Sequence, residues 1–314
     1  MAAKKNATSE KGIASKKIKT TELSSITQLF QESWKLFKRT WISYVKLVGL
    51  GFAYIILAVL IGVLIALPII FIAVGSHFQI FQHLTLFNIV TLVLLSFWFI
   101  LFFLSIIAIE IIFPIISILI LQEKKVESLI VLMKQGKSYF WMYFLTSLLA
   151  WFVVIGSLGL FVIPGVFIVF CFTFVTYEVV LENQSGTAAL QRSYYLVKSH
   201  FWEVMGRLLL IEAIVGIMSS VVNRIAFDNF FLVLVYLLYT LFIGWYVRAY
   251  IFLLYKQLRT ATSVPQKISI RWIWLVTAIG WFILIVFLVA LIISGWHFPW
   301  MQQRHSHIPQ NQSV

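Results

Sequence analysis

The sequence predicts an all-α polytopic membrane protein: a six-helix module of three parallel amphipathic-helix-plus-hairpin repeats, with an extra seventh C-terminal transmembrane helix. Three observations support this fold class. Of the 314 residues, 61% are hydrophobic and 11% are charged. Several apolar segments are long enough to cross a bilayer, and one amphipathic pattern recurs along the chain. Because a soluble domain carries about a quarter charged residues, a water-soluble enzyme is excluded.

Residues 1–24 are expected to form a disordered basic tail on the cytoplasmic side. Six lysines lie within the first 20 residues, among small and polar side chains that cannot support a fold. The tail has no apolar run typical of a secretory signal peptide. A polybasic stretch beside a membrane can bind anionic headgroups, and the alternative is a solubilising and orienting tail.

The apolar segments predict seven spanning helices, since one crossing takes about 20 apolar residues. The segments are residues 45–74, 88–121, 142–163, 166–182, 204–223, 230–255 and 273–295. The first two exceed one crossing, so we expect them to tilt, protrude or bend at Pro68 and Pro114. The four residues from Val162 to Gly165 separate the third and fourth segments and predict a tight membrane hairpin, with a re-entrant pair as the alternative.

The basic residues predict the orientation of this bundle, because Lys and Arg collect in cytoplasmic loops. Most of those beyond the tail lie in three loops, at residues 123–137, 182–207 and 256–271. The segment from Gly75 to Leu86 has no Lys or Arg. We therefore expect a multi-pass protein of the plasma (inner) membrane with a cytoplasmic N-terminus. Residues 25–256 would be the six-helix domain, 257–272 a cytoplasmic linker, and 296–314 a polar non-cytoplasmic tail.

One apolar pattern, spaced i, i+4, i+7 and i+11, recurs at three places and marks one face of a helix. The copies are Phe30, Trp34, Phe37 and Trp41; Leu129, Met133, Gly136 and Phe140; and Leu190, Tyr194, Val197 and Phe201. We interpret each copy as an amphipathic helix in the inner interface, with its aromatic face among the acyl chains, followed by a two-helix hairpin. The copies would be parallel repeats about an axis along the membrane normal, and chance similarity is the alternative.

Lysines and tryptophans of these copies are predicted to contact lipid at the inner interface, the lysines by reaching up to the headgroups. These residues are Lys38, Trp41, Lys137, Trp141, Lys198 and Trp202. The expected partners are membrane lipids, including anionic headgroups, and a membrane protein or a second copy of the chain. Nucleic acid is not expected, because the basic residues are accounted for by membrane orientation.

The run from Val162-Ile163-Pro164-Gly165 through Glu178, Glu182-Asn183, Ala189-Leu190-Gln191-Arg192-Ser193, Leu196-Val197-Lys198 and Phe201-Trp202 carries a family resemblance. It resembles the bacterial membrane domain attached to some glycerophosphodiester phosphodiesterases, and the related stand-alone YciC-like inner-membrane proteins. The resemblance covers roughly residues 140–255. It implies a six-helix membrane module and, for stand-alone members, no established activity. The chain lacks the soluble catalytic domain of the phosphodiesterases, and its seventh helix and lysine-rich tail depart from the pattern.

Ionisable residues inside predicted spans are candidates for function, because each is costly unless it is paired or hydrated. Four remain once boundary charges are set aside: Glu110, Glu178, Glu212 and Arg248. In one interpretation they form a proton or cation relay or a polar site for a lipid headgroup, with Arg248 as counter-ion or phosphate ligand. In the other, one carboxylate pairs with Arg248 to lock helix packing, and the rest reach the interface or stay protonated.

No catalytic residue, metal site or cofactor is predicted. The sequence contains no HExxH, GxSxG, Walker or dinucleotide-binding pattern. Cys171 is the single cysteine and lies in an apolar segment, which excludes an intramolecular disulfide. Five histidines are expected on the outer side without a nearby carboxylate or Cys, which indicates exposed polar residues rather than a metal site. They are His77, His83, His297, His305 and His307.

Two hypotheses of function follow. The favoured one is a non-enzymatic membrane module that organises lipids or partner proteins, supported by the repeated pattern. The alternative is a transporter or lipid-translocating protein whose pathway runs past Glu110, Glu212 and Arg248. A membrane-embedded enzyme ranks third, because the sequence shows no cluster of polar residues near one interface.

Overall fold

The computed structural model describes residues 23–75, 86–123, 128–226, 230–262 and 270–295, and within these ranges all regular structure is helical. The helices are α1 (Ile26–Gly75), α2 (Leu86–Gln122), α3 (Leu129–Leu160), α4 (Val162–Phe172), α5 (Val175–Glu182), α6 (Gly186–Ser199), α7 (Phe201–Ala226), α8 (Phe230–Ala261) and α9 (Arg271–Gly295). The predicted polar C-terminal tail, nearly all of the basic N-terminal tail and the five outer histidines lie outside the described residues.

Seven helices in the described part of the chain are long and apolar enough to cross a membrane, with α4 and α5 together forming one of them. The chain is therefore an all-α, multi-pass membrane protein, as predicted. The turn between α3 and α4 differs in position from the predicted one. It falls at Phe161, whose backbone is extended, and Pro164 lies inside the first turn of α4. Proline is tolerated there because first-turn amides have no intrahelical acceptor.

The first two copies of the repeated pattern are not separate helices. α1 continues through its copy into the apolar segment as one helix of 50 residues, and α3 does so as one helix of 32 residues. At 1.5 Å per residue α1 is about 75 Å long, which exceeds the hydrocarbon core of a bilayer more than twofold. The third copy does form a helix of its own, α6, which ends at Ser199, and His200 separates it from α7. α8 continues to Ala261, beyond the predicted end of the module at residue 256.

Close packing is concentrated at one end of the bundle, called here the packed end. The buried core draws part of its side chains from residues 29–47 of α1, 111–121 of α2 and 245–258 of α8. The opposite parts of five helices expose most of the large apolar side chains that the structure describes there, and these parts are called the splayed halves. They are residues 50–67 of α1, 93–107 of α2, 209–221 of α7, 233–238 of α8 and 282–292 of α9. Lipid tails are as apolar as Leu, so no hydrophobic force draws these halves together.

The aromatic face of the first copy packs against α8. Phe37 lies edge-on to Phe242 with ring centroids 4.5 Å apart, and Tyr44 stacks on Trp245 at 4.2 Å. The Trp245 indole also donates a 3.0 Å hydrogen bond to the Thr40 hydroxyl. The expectation of an aromatic face among acyl chains is therefore wrong for this copy, because the face is used for helix packing within the protein.

The third copy is also turned towards the protein. Leu190, Tyr194 and Val197 of α6 are buried, and the Ser193 hydroxyl donates a 2.7 Å hydrogen bond to the Cys171 carbonyl of α4. The Phe201 ring at the start of α7 lies 4.6 Å from a ring of α4. α6 thus runs back along α4 and α5 inside the bundle instead of lying with its aromatic face in the acyl boundary.

α9 is held against α3 by a close approach of two backbones, called here the α3–α9 seam. A Cβ added at Gly280 would overlap the Gly156 carbonyl, and one added at Gly159 would lie 2.8 Å from the Gly280 carbonyl oxygen. Glycine at these positions allows the backbones to approach, as small residues do in membrane helix pairs. The Trp281 indole adds a 3.1 Å hydrogen bond to the Phe152 carbonyl. α9 is therefore packed into the bundle and is not a detached seventh span.

Candidate functional site

The turn between α5 and α6 brings charged side chains of three helices together. Asn183 ends α5 in the left-handed region with φ of 54°, and Gly186 begins α6 with φ of 56°. Asn and Gly tolerate this backbone better than other residues. The Gly186 amide donates a 2.7 Å hydrogen bond to the Thr146 hydroxyl of α3. The turn is thereby attached to α3, and α6 is directed back along α5.

Five side chains form what is called here the charge cluster: Glu178 and Glu182 of α5, Arg192 of α6, and Tyr255 and Arg259 of α8. Arg259 Nη2 lies 3.0 Å from Glu182 Oε2, a hydrogen-bonded ion pair. The Tyr255 hydroxyl donates a 3.1 Å hydrogen bond to Glu178 Oε1. Arg192 Nη1 lies 3.9 Å from one carboxylate oxygen of each glutamate. Two guanidinium groups and two carboxylates therefore meet at one place.

The charges within this cluster balance, which is what burial of ionised groups requires. Glu178 is fully buried, and its Oε2 atom has no hydrogen-bond partner in the described part of the chain. The nearest cationic atom to that oxygen is the Arg192 Nη1, which compensates its charge without a short hydrogen bond. These contacts join α5, α6 and α8.

Glu110 and Glu212 lie apart from this cluster. Both are on exposed faces, of α2 and α7 respectively, although they fall inside candidate spans. Within the described residues neither carboxylate has a basic nitrogen within 4.0 Å. The expected ion pair of either carboxylate with Arg248 is therefore not formed. Of the four candidates from the sequence, the structure places Glu178 alone in the charge cluster.

Arg248 lies between α2, α5 and α8 beside a small cavity of about 120 Å³, called here the Arg248 cavity. Its Nη1 is 3.5 Å from the Ser117 hydroxyl oxygen, and its guanidinium carbon is 5.1 Å from the centroid of the Phe113 ring. No carboxylate within the described ranges lies within 4.0 Å of it. The cavity is lined by Pro114, Ser117, Ile118, Leu121, Thr176, Tyr177 and Arg248.

The residues predicted to contact lipid lie mostly on the surface. Trp141 is 67% exposed and Trp202 is 76% exposed, whereas Trp41 is partly buried beside α8. Lys38, Lys137 and Lys198 are exposed. Two of these lysines share one local geometry: Lys38 Nζ lies 5.2 Å from the Trp34 ring centroid and Lys198 Nζ 5.6 Å from that of Tyr194. The first and third copies therefore present a cation over an aromatic ring at the same position of the pattern.

Sequence reasoning missed Arg192, Tyr255 and Arg259, and it set Glu182 aside as a boundary charge. The i, i+4 spacing of Glu178 and Glu182 on one helix was an available signal for a paired acidic site. Nothing in the sequence indicated the basic partner on α8, because the Arg259 to Glu182 pair joins positions 77 residues apart.

Within the described residues, no group of three or more His, Cys, Asp or Glu side chains is arranged to hold a metal ion. Cys171 is buried in α4, where it packs as a small apolar side chain. Comparison of the chain with protein-family models, with curated proteins and with solved structures finds no significant match. The resemblance to the YciC-like proteins and to the phosphodiesterase membrane domain therefore stays a prediction from the residues.

Proposed function

We propose that this chain is a non-enzymatic membrane module that organises lipids or partner proteins. The main support for the proposal is the set of splayed halves, in which most of the described large apolar side chains of five helices are exposed. A surface of this kind has to be covered by acyl chains or by helices of another protein. The charged groups of the charge cluster pair with one another and join α5, α6 and α8.

An apolar cavity between α1, α2 and α3 supports a lipid role. It has a volume of about 260 Å³ and lies where the packed end of α1 and α2 meets their splayed halves. Its walls come from Leu47, Leu50, Gly51 and Tyr54 of α1, Ser105, Ala108, Ile109, Ile112, Phe113 and Ile116 of α2, and Met133 of α3. Such a lining suits an acyl chain, because it offers dispersion contacts and almost no hydrogen-bonding groups.

The lysine geometry of the first and third copies adds support for headgroup contact. A lysine held over an aromatic ring keeps its ammonium group near the interface while its stem covers apolar surface. We infer that the three copies are parallel repeats whose lysines face the cytoplasmic leaflet of the inner membrane. The packed end then lies towards the cytoplasm and the splayed halves towards the other leaflet. The basis of this orientation is the distribution of Lys and Arg among the loops.

The transport alternative requires Glu110, Glu212 and Arg248 to line one path. The two carboxylates lie on exposed faces of different helices and form no ion pair with Arg248. Within the part of the chain that the structure describes, no specific contact favours such a path, so transport is not proposed.

Native mass spectrometry of the full chain, released from its own membrane in mild detergent, tests the proposed function. We expect bound phospholipids or a stoichiometric partner protein, and the same adducts on the Glu110→Gln/Glu212→Gln double variant. A bare chain that also fails to rebind added phospholipid would contradict the proposal. A small solute that is bound by the wild type and lost in the double variant would favour transport instead.

Reporter fusions at Val314 test the orientation. A reporter active only outside the cytoplasm should give signal there, because seven crossings from a cytoplasmic N-terminus end outside. Activity of a cytoplasm-specific reporter at the same position would contradict this orientation.

A further inference from the structure

Arg248 is a cation inside a candidate span without a counter-ion in the described part of the chain. It lies eight residues before Lys256 on α8, which corresponds to about 12 Å along the helix axis. The span that contains it runs from Leu232 to Ala261. A guanidinium within a membrane span is costly unless an anion or water compensates its charge. No carboxylate among the described residues fills this role.

The protein contacts of Arg248 occupy a small part of its hydrogen-bonding capacity. A guanidinium carries five N–H donors, and one of them reaches the Ser117 oxygen at 3.5 Å, the outer limit for a hydrogen bond. The Ser117 hydroxyl itself donates at 2.6 Å to the Phe113 carbonyl, so it can act towards Arg248 as an acceptor alone. The remaining donors of Arg248 have no protein acceptor within the described ranges, and the cavity lies beside them.

The Arg248 cavity offers further donors to an anion. Thr176 and Tyr177 of α5 line it together with Arg248, and their hydroxyls form no hydrogen bond with other described residues. On the measure that gives this cavity about 120 Å³, one water molecule needs about 10–15 Å³, so the cavity has room for a phosphate group. The rest of the wall is apolar, which strengthens any charge-assisted hydrogen bond made inside it.

We propose that the Arg248 cavity binds one phosphate-type oxyanion, with Arg248 as the charged ligand and the hydroxyls of Tyr177 and Thr176 as further donors. The planar fork of a guanidinium matches two phosphate oxygens, which favours this class of anion. The same chemistry is presented by the phosphodiester of an anionic phospholipid and by free phosphate. This inference rests on the proposed lipid-organising function, because it names the headgroup chemistry that the module recognises.

Lipid titration by native mass spectrometry tests the site on the full chain after delipidation in mild detergent. The probes are phosphatidylglycerol, a diacylglycerol with the same acyl chains, and inorganic phosphate. We expect one phosphatidylglycerol to bind with clear preference over diacylglycerol, and Arg248→Met to weaken that binding at least tenfold. Arg39→Met is the matched control, since Arg39 is exposed on α1 and should leave the affinity unchanged. Competition by inorganic phosphate would identify free phosphate as a ligand, and its absence would identify the lipid.

A second variant keeps the inference testable if Arg248→Met does not fold. Tyr177→Phe removes one hydroxyl and keeps the ring that stacks on Tyr255 with centroids 5.2 Å apart. We expect a severalfold loss of phosphatidylglycerol affinity with an unchanged melting temperature. Wild-type affinity in this variant, or equal binding of diacylglycerol to the wild type, would overturn the site. If lipids still co-purify with the chain in that case, the site alone is wrong. A wild-type chain without lipid or partner would overturn the proposed function.

Discussion

Replacing Gly280 by alanine is expected to loosen α9 from α3. The added Cβ would overlap the Gly156 carbonyl oxygen and would lie 3.0 Å from the Leu160 amide nitrogen. Both atoms belong to the backbone of a continuous helix, so neither can rotate away. The two helices must separate, which also stretches the hydrogen bond from the Trp281 indole to the Phe152 carbonyl, now 3.1 Å long.

The expected magnitude follows from two opposing effects. Overpacking of a close interface costs about 1–3 kcal/mol, and a clash with backbone belongs at the upper end of that range. Alanine also has a helix propensity better than that of glycine by about 1 kcal/mol. Gly216 provides the matched control, because a Cβ added there on α7 meets nothing within 4 Å. The Gly280→Ala variant should therefore be about 2–3 kcal/mol less stable than the Gly216→Ala variant.

Thermal unfolding of the full chain in detergent, followed by intrinsic tryptophan fluorescence, measures this difference. We expect Gly280→Ala to melt several degrees below Gly216→Ala and below the wild type. Gly159→Ala should behave like Gly280→Ala, since its added Cβ would lie 2.8 Å from the Gly280 carbonyl oxygen. Equal melting temperatures for Gly280→Ala and Gly216→Ala would refute the α3–α9 seam as a close backbone contact.

Three further predictions concern charged and polar groups. Glu110→Gln and Glu212→Gln should leave the abundance and melting temperature unchanged, because both side chains are exposed and unpaired among the described residues; a loss of abundance would contradict this. Arg259→Met should lower the free energy of unfolding by about 1 kcal/mol, because it breaks the 3.0 Å ion pair with Glu182. The double variant Arg259→Met/Glu182→Gln should lose less than the sum of the two single losses, and strict additivity would argue against the pair. Thr146→Val should lower the free energy of unfolding by about 1 kcal/mol, because it removes the hydroxyl that accepts the hydrogen bond of the Gly186 amide at the start of α6. A wild-type melting temperature would show that this hydrogen bond is dispensable.

The spans were predictable from the sequence because apolar length is a local property. A segment such as 88–121 must be helical in lipid, where every backbone group needs an internal partner, and α2 covers it from Leu86 to Gln122. The position of the turn at Phe161 was less predictable. Proline and glycine mark a reversal nearby, but they do not determine which residue adopts the extended backbone.

The candidate site was predictable only in part. A buried carboxylate in a span is visible in the sequence, and Glu178 is one. Its partners Arg192 and Tyr255, and the Arg259 that pairs with Glu182, are brought to the charge cluster by helix packing, which no local pattern encodes. The same limit applies to Glu110 and Glu212, because the face of a helix that meets another helix cannot be read from a segment that is apolar all round.

Sequence alone determined the class of this protein, because membrane insertion depends on the composition and length of each segment. Tertiary structure decided how the amphipathic faces are used. In water an aromatic stripe would have to be buried, but beside a bilayer it can face lipid or protein at similar cost. The faces that contain Phe37 and Tyr194 are turned towards the protein because the rings of α8, α4 and α9 offer them specific contacts. The same holds for Arg248, which has no counter-ion among the described residues, since the pairing of a charge depends on what the neighbouring helices bring to it.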